Sequence, residues 1–400
     1  MKKKVIMVMP VMKGGGAERV ASLLLNEFYK SGYGCEFVIT SMKKEDIINC
    51  DLNPQITVTV LKDTLKKNNT FQKIKNKPLR LFSSAVCKVF EGLKKAVPAE
   101  LAYLSFISEY SGEIKALRKI FKNNPDAAVI SFLQPSIPMT LLSSRGLVNR
   151  VVVSERGNPE RLMKKRYGYK FVEKYYKRAD AIVFQTQDAK KIYPPVIASK
   201  GTVIFNPIKD DLPLPYTGER DKYITTFCRI SRPKNLPMLV KAFHIFAKEH
   251  EDFRLKIIGD AQNEDDRKVL DDVKKCIRNL DIEDKIDFIP FSSNVHQMIL
   301  KDAVYASSSD HEGMSNAMLE AMAIGMPVVC TDCPVGGAKA VIKNGENGFL
   351  IQVGNSEEMC EAFKKIVTNK TLSDKLSENA AIIREELSLE NTAKKWMELL

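Results

Sequence analysis

The chain has 400 residues, of which 44% are hydrophobic and 28% charged; this is the composition of a globular protein of two or three domains with ample core. Lysine and arginine outnumber the acidic residues by 62 to 49, and the formal net charge of +13 favours anionic partners. No apolar run approaches the roughly 18 residues that a helix needs to span a bilayer, so no transmembrane helix is expected. The eight cysteines are scattered, which indicates reduced thiols, and the lone pair Cys330 and Cys333 is expected to pack rather than to bind zinc.

The N-terminal stretch is basic and then apolar, and it superficially resembles a signal peptide. Its apolar part, Val5–Val11, is short and gives way to Gly14-Gly15-Gly16 without a plausible cleavage site. We therefore interpret Val5–Pro10 as the first strand and expect a cytoplasmic protein. A helix through Tyr29 and a strand at Cys35–Thr40 follow, which together predict a parallel strand–helix–strand unit.

The three glycines of this loop, Gly14, Gly15 and Gly16, allow the backbone to approach a ligand closely at the start of a helix. Such a loop can hold a phosphate or a substrate hydroxyl. It has neither the Gly-x-Gly-x-x-Gly spacing of dinucleotide sites nor the Lys-Ser/Thr ending of a P-loop. Alone, the loop is a weak indication of function.

The basic residues are densest in the N-terminal half, in three stretches at 62–80, 88–95 and 161–178. A basic surface of this kind suits an anionic membrane or a pyrophosphate-linked lipid. A solvated face is the equally weighted alternative. Because we find no nucleic-acid recognition motif, nucleic acid is not an expected partner.

Two series of apolar strands and helices predict two α/β domains. The first, residues 1–207, ends at Asn206-Pro207, and the second extends over 221–385. Between them, residues 208–220 include two prolines and a glycine and are expected to form a linker. The amphipathic tail, 386–400, is expected to be a helix.

In the second series, charged residues follow the carboxyl ends of two strands. The strand Tyr223–Phe227 is followed by Arg229 and Lys234, and the strand Ala303–Ser307 by Glu312-Gly313. Loops at this end of an open parallel sheet converge on one crevice. Two cations and a helix N-terminus there can neutralise a diphosphate without a metal ion, and the chain contains no Asp-x-Asp pair for a divalent cation.

The helix predicted at Ala317–Ile324 can be capped by Ser315 or Asn316. Its first amides and its dipole favour an anion, and Glu312 and Glu320 lie on either side of this N-terminus. The alternative is an ordinary capped helix with two solvated glutamates. A buried apolar helix with a glutamate in its middle argues against that alternative, since an unpaired buried carboxylate is costly.

Several motifs of this region occur together: Glu312-Gly313, Glu320-Ala321, Gly325-Met326-Pro327-Val328-Val329, Gly336-Gly337 and Asn344-Gly345-Glu346-Asn347-Gly348. In this combination they resemble the C-terminal signature of the retaining glycosyltransferases of family 4. The Arg229-x4-Lys234 spacing and the N-terminal glycine loop also resemble this family. The resemblance implies the GT-B architecture, in which two Rossmann-like domains with parallel sheets face each other across a cleft. It also implies that the tail helix packs back on the first domain.

The resemblance also implies roles for individual residues. Glu320 would accept hydrogen bonds from the ribose, and Glu312 would contact the donor sugar and support positive charge at its anomeric carbon. No metal and no cofactor are expected, since the nucleotide sugar is itself the donor substrate. The donor diphosphate would be held by six residues: Arg229, Lys234, Gly313, Met314, Ser315 and Asn316.

The chain departs from the family pattern at a few positions. Cys228 and Pro290 stand where the family usually or often has glycine, and the first domain lacks the family's histidine, since all four histidines follow residue 220. Gln134 is a candidate for that place. Arg156 resembles a motif of the subset that builds bacterial capsules and lipid-linked oligosaccharides, and is a candidate acceptor contact; structural pairing is the alternative.

Together these observations lead us to expect a retaining hexosyltransferase, peripheral on the inner face of the membrane. It would move a hexose or N-acetylhexosamine from a nucleotide diphosphate sugar, with UDP as the expected nucleotide, to a sugar hydroxyl of a lipid-linked saccharide in surface polysaccharide or glycan biosynthesis. Front-face attack is expected, with double displacement through a carboxylate as the other route. A sugar-nucleotide epimerase and a non-catalytic nucleotide-sugar-binding subunit are the alternatives.

Overall fold

The computed structural model of the protein describes residues 3–48, 51–66, 98–156 and 168–400. The chain forms two compact units, of which the first comprises Met1–Phe205 and Thr392–Leu400 and the second Asn206–Asn391. Most of the three basic stretches, at 62–80, 88–95 and 161–178, lies outside the described residues, so the basic surface remains a prediction.

The first unit is built on a seven-stranded parallel sheet in the order β3-β2-β1-β4-β5-β6-β7. Its central strands are buried along their length, because helices cover both faces, and this explains their continuous apolar sequences. The strands are β1 Lys4–Met9, β2 Gly34–Ile39, β3 Thr57–Val60, β4 Ala128–Phe132, β5 Arg150–Ser154, β6 Ala181–Phe184 and β7 Gly201–Val203.

The helices of the first unit include two that the sequence did not predict, at Ala99–Glu109 and Ser136–Ser143. The second of these is buried almost all round, so its sequence lacks the polar face that marks a surface helix. The described helices are α1 Gly16–Lys30, α2 Leu61–Lys66, α3 Ala99–Glu109, α4 Ser111–Lys122, α5 Ser136–Ser143, α6 Gly168–Tyr176, α7 Gln187–Lys191 and α8 Pro195–Ala198.

The second unit has a six-stranded parallel sheet in the order β10-β9-β8-β11-β12-β13. Its strands are β8 Asp221–Phe227, β9 Arg254–Ile258, β10 Ile286–Ile289, β11 Asp302–Ser307, β12 Val328–Thr331 and β13 Phe349–Ile351. Its helices are α9 Leu236–Ala247, α10 Glu264–Asn279, α11 Val295–Ile299, α12 Asn316–Ala323, α13 Ser356–Thr368, α14 Lys370–Ala381 and α15 Ile383–Glu386, and the chain ends with α16 Leu389–Met397. The predicted class, two α/β domains with parallel sheets, is confirmed.

The C-terminal residues belong to the first unit from Thr392 onwards. Trp396 is fully buried there, and the centroid of its ring lies 5.5 Å from that of Phe132, the last residue of β4. The amphipathic tail therefore buries its apolar face on the first unit. Among the helices of the described residues, none is long and apolar enough to cross a membrane.

The segment 208–220, expected as a linker, is instead bound to the second unit. Ile208 forms a β-bridge with Ser388, and the half-buried guanidinium of Arg220 donates to the carbonyl of Gly325, just after α12. Burial lowers the pKa of Arg220 to about 10. The amide of Tyr216 also donates to the carbonyl of Ile324, the C-cap of α12, so this segment supports the helix on which the candidate site is built.

Candidate functional site

The centre of the candidate site is an ion pair between Lys234 and Glu312. Lys234 ends a short 3-10 turn after β8, Glu312 follows β11, and the ammonium donates to Oε2 of the carboxylate. Burial by itself lowers the pKa of Lys234, but the neighbouring carboxylate outweighs this and the pKa is raised overall. The convergence of two strand ends, predicted from the sequence, thus places a lysine that remains charged directly against a carboxylate.

The two loops that carry this pair are bonded to each other. The hydroxyl of Ser308 donates to the carbonyl oxygen of Lys234 at 2.8 Å, and the amide of Asn235 donates to Oδ1 of Asp310 at 2.7 Å. Asn235 has a left-handed backbone, with φ of 41°, and its side chain caps α9. The backbone around Lys234 is therefore fixed from several directions.

The N-terminus of α12 faces the same loop. Ser315 is the N-cap and its hydroxyl accepts from the amide of Met318 at 3.3 Å. Asn206, expected to close the first domain, lies in the second unit, where its side chain donates to the carbonyl of Met314 at 3.1 Å and to Oδ1 of Asn316 at 2.6 Å. Asn206 thus anchors the residues predicted to bind the diphosphate.

Gly337 allows the closest approach in this region. A Cβ at this position would lie 1.6 Å from the carbonyl oxygen of Gly313, so any side chain displaces the loop after β11. The predicted motif Gly336-Gly337 therefore has a steric function, which is to leave room for Gly313.

We predict that Gly337→Ala displaces this loop and lowers the sugar transfer that the resemblance implies at least about tenfold, with a loss of about 1–3 kcal/mol in the free energy of unfolding. Gly34→Ala is the matched control, because the nearest atom to its added Cβ is 4.0 Å away. Initial rates and urea denaturation test both variants. Equal activity of the two would contradict the steric function.

Glu320 lies in the middle of α12 and is almost fully buried. Its Oε2 is 2.9 Å from Nε2 of His296, on α11, and the two side chains are only 5% and 7% exposed. The cost of burying an unpaired carboxylate led us to expect that Glu320 is not a solvated residue, and it is buried; its partner within the chain, His296, was not predicted.

Arg229 is held by a carboxylate that the sequence analysis missed. Its Nε and Nη2 donate to Oδ2 and Oδ1 of Asp266, on α10, at 2.8 and 3.3 Å. The arginine is half exposed, whereas Asp266 is buried. Cys228, before it, does not have a left-handed backbone, and the tight position is Gly259, where a Cβ would lie 2.0 Å from the carbonyl oxygen of Cys228. Cysteine in place of the family's glycine is therefore accommodated.

A small cavity lies beside Glu312, and Cys330 and Cys333 contribute to its wall. Both are free thiols, and burial raises the pKa of Cys333 to about 11 and that of Cys330 well above its usual range. In the part of the chain that the structure describes, no group of three or more His, Cys, Asp or Glu residues could hold a metal ion. The cavity is lined by Ser307, Ser309, Glu312, Ser315, Met318, Cys330, Thr331, Cys333 and Ala338.

In the first unit, the glycine loop interacts with a carboxylate of the chain itself. Gly14 has φ of +77°, Gly15 caps α1, and Gly16 is the first residue of that helix. The carboxylate of Glu18 accepts from the amides of Gly15 and Glu18, and burial raises its pKa. A phosphate at these amides would have to displace Glu18, whereas a substrate hydroxyl could donate to its carboxylate.

The two acceptor candidates, Gln134 and Arg156, follow β4 and β5. The amide of Gln134 donates to Oε1 of Glu155 at 2.8 Å and to the hydroxyl of Tyr176 at 2.9 Å. Arg156 is buried with its guanidinium 4.7 Å from the centroid of the Phe132 ring, and burial lowers its pKa to about 9. Both side chains thus have structural partners, as the alternative for Arg156 proposed.

Part of the chain is similar to known glycosyltransferases. Residues 216–382 match the family described as Glycosyl transferases group 1. An uncharacterized glycosyltransferase of Haemophilus influenzae is 30% identical over 167 residues, which are 42% of this chain and 45% of that protein. The Campylobacter jejuni protein named GalNAc-alpha-(1->4)-GalNAc-alpha-(1->3)-diNAcBac-PP-undecaprenol alpha-1,4-N-acetyl-D-galactosaminyltransferase is 22% identical over 290 residues, 71% of this chain and 77% of that protein.

The fold is similar to that of solved GT-B structures. A structure of HepE from Anabaena in complex with UDP matches with a TM-score of 0.74 at 15% identity, over 100% of this chain and 99% of the other. The chain spans less than half the length of the first curated relatives that it matches. The match to residues 216–382 includes Arg229, Lys234, Glu312 and Glu320. The chain therefore has the GT-B fold, and residues 216–382, within its second unit, are similar to the glycosyl transferases group 1 family.

Proposed function

We propose that the protein is a retaining glycosyltransferase that moves a hexose or N-acetylhexosamine from a UDP-sugar to a sugar hydroxyl of a lipid-linked saccharide. The observation that carries the proposal is the Lys234–Glu312 pair in front of the N-terminus of α12. The cation and the helix dipole can stabilise the negative charge of a departing diphosphate. The carboxylate can stabilise the positive charge that develops on the sugar.

The diphosphate would be bound by exchange of charged partners. In the structure, Lys234 is neutralised by Glu312, and Arg229 by Asp266. A bound diphosphate would draw the ammonium of Lys234 to itself, beside the amide end of α12, and the half-exposed Arg229 would add a second cation. Because side chains and helix dipole supply the positive charge, we propose that transfer needs no metal ion.

Glu312 would act on the sugar. When Lys234 turns to the diphosphate, the Glu312 carboxylate is left free to stabilise positive charge at the anomeric carbon. In front-face attack the bond from that carbon to the phosphate oxygen breaks, a bond to the acceptor oxygen forms on the same face, and the acceptor's proton passes to the departing phosphate oxygen. Double displacement would instead use Glu312 as the nucleophile.

The proposed acceptor and the proposed location are supported by a relative and by the net charge of the chain. The Campylobacter jejuni relative is named for an acceptor linked to undecaprenol through a diphosphate, and the net charge of +13 suits such a lipid in an anionic membrane. We therefore propose that the protein is peripherally bound at the inner face of the membrane. Its glycine loop, with the buried Glu18 carboxylate, is the proposed contact for an acceptor hydroxyl.

The test is incubation with labelled UDP-glucose, UDP-galactose and their N-acetylated forms, together with lipid-linked saccharides from membranes, with and without EDTA. We expect transfer of one sugar with its anomeric configuration retained, at the same rate in EDTA. An inverted product would contradict retention, and loss of turnover in EDTA would contradict the metal-free proposal. Interconversion of UDP-sugars without acceptor would identify an epimerase, and binding without turnover a non-catalytic subunit.

A further inference from the structure

We propose that His296 is a positioning residue that orients the Glu320 carboxylate for the ribose of the donor, and so makes the site selective for ribonucleotides. The proposal rests on the proposed function, in which Glu320 accepts hydrogen bonds from the ribose hydroxyls. It adds a residue outside the motifs that led to that function.

The contact between the two side chains is direct. Nε2 of His296 lies 2.9 Å from Oε2 of Glu320, and the residues are 24 positions apart on different helices. Both side chains are more than nine-tenths buried. A buried carboxylate with one oxygen bonded to an imidazole N–H cannot rotate without losing that bond, so its second oxygen has a defined direction.

The imidazole is itself held in place. The ring of Phe227, the last residue of β8, meets the His296 ring edge-on, with centroids 5.7 Å apart and an interplanar angle of 84°. Phe227 directly precedes the turn that carries Arg229 and Lys234. The orientation of Glu320 is therefore set by the same strand end that presents the cations for the diphosphate.

Loss of this support has a specific consequence. Without the imidazole N–H, the buried carboxylate would turn to another partner or take up a proton, and it would accept less well from vicinal hydroxyls. Affinity for UDP would fall, but affinity for a deoxyribose analogue would hardly change, since the analogue lacks one of the hydrogen bonds that Glu320 receives. A residue that only stabilised the fold would lower both affinities alike.

The experiment measures dissociation constants of UDP, 2′-deoxy-UDP and 3′-deoxy-UDP by calorimetry. The full chain is compared with His296→Phe, His296→Gln and Glu320→Gln, and His250→Phe, whose ring stacks on Phe246, is the matched control. We expect the wild type to prefer UDP over at least one deoxy analogue by about tenfold or more, the effect of one hydrogen bond to a charged group. His296→Phe should reduce this preference to within about threefold, and His296→Gln, which retains an N–H donor, and His250→Phe should keep it.

Each result decides the question. A His296→Phe protein that keeps the wild-type preference overturns the positioning role while leaving the proposed function intact. A wild type that does not bind UDP, or a Glu320→Gln protein that keeps the full preference, overturns the proposed ribose contact and this inference with it. If His296→Phe does not fold, His296→Asn takes its place, because its amide is too short to reach Glu320. Loss of the preference for UDP over the deoxy analogues in this variant supports the proposal, and retention of that preference overturns it.

Discussion

Replacing Lys234 with methionine is expected to lower kcat/KM for sugar transfer by about 10³-fold, the upper range for removing one group that stabilises a departing charge. The variant loses the ammonium that the diphosphate needs. It also leaves Glu312, the partner of that ammonium, as an uncompensated carboxylate beside the incoming anion. Both effects raise the barrier, so this is the largest single change that we expect at the site.

Initial rates at several UDP-sugar concentrations measure this effect, and calorimetry with UDP measures the binding part. Lys241→Met, at an exposed position of α9, is the control for loss of one positive charge in the same unit, and it should keep wild-type kinetics. A Lys234→Met enzyme within about tenfold of wild type would contradict the role of Lys234.

Glu312→Gln is expected to lower kcat by about 10²-fold while affinity for UDP stays the same or becomes tighter. The amide cannot stabilise positive charge at the anomeric carbon, which accounts for the slower chemistry. It also no longer neutralises Lys234, so the ammonium is more available to a diphosphate. A fall in kcat without loss of binding is the pattern of an interaction made only in the transition state.

Parallel measurements of kcat and of the UDP dissociation constant separate these effects. Glu378→Gln, on the exposed side of α14, controls for the loss of one carboxylate. If Glu312→Gln bound UDP much more weakly and kept its kcat, Glu312 would be a donor-binding residue without a role at the reacting carbon.

The sequence predicted those features of the fold that local pattern determines. The buried strands β1 and β4 are mostly apolar runs, and α12 is bounded by a serine cap and by Gly325, whose φ of +74° the chain needs there. Convergence of the loops after β8 and β11 followed from the parallel topology. These predictions needed only residue type, spacing and the rule that the carboxyl ends of parallel strands lie at the same edge of the sheet.

The partners of the site residues could not be predicted in the same way, because they come from distant positions. Asp266 and His296 lie 37 and 24 residues from the side chains that they orient, and Asn206 lies 108 residues from Met314. No periodicity or spacing marks such pairs. Only the packed sheet brings them together.

Glu18 shows a different limit. Its position three residues after Gly15 is that of a capping-box glutamate, but with glycine at the cap the sequence left both a phosphate and a substrate hydroxyl open as ligands of this loop. In the structure, the glutamate accepts from the amides that a phosphate would use. A signal was therefore present in the sequence, and it favours hydroxyl recognition at this loop.

The central claim is that the diphosphate of a nucleotide sugar lies between Lys234 and the N-terminus of α12. A crystal structure with UDP tests this most directly. We predict a phosphate oxygen within about 3.5 Å of Nζ of Lys234 and of an amide in the stretch from Gly313 to Asn316, with the Lys234–Glu312 contact lengthened. A well-ordered UDP whose diphosphate lies elsewhere, with the Lys234–Glu312 pair unchanged, would contradict the account.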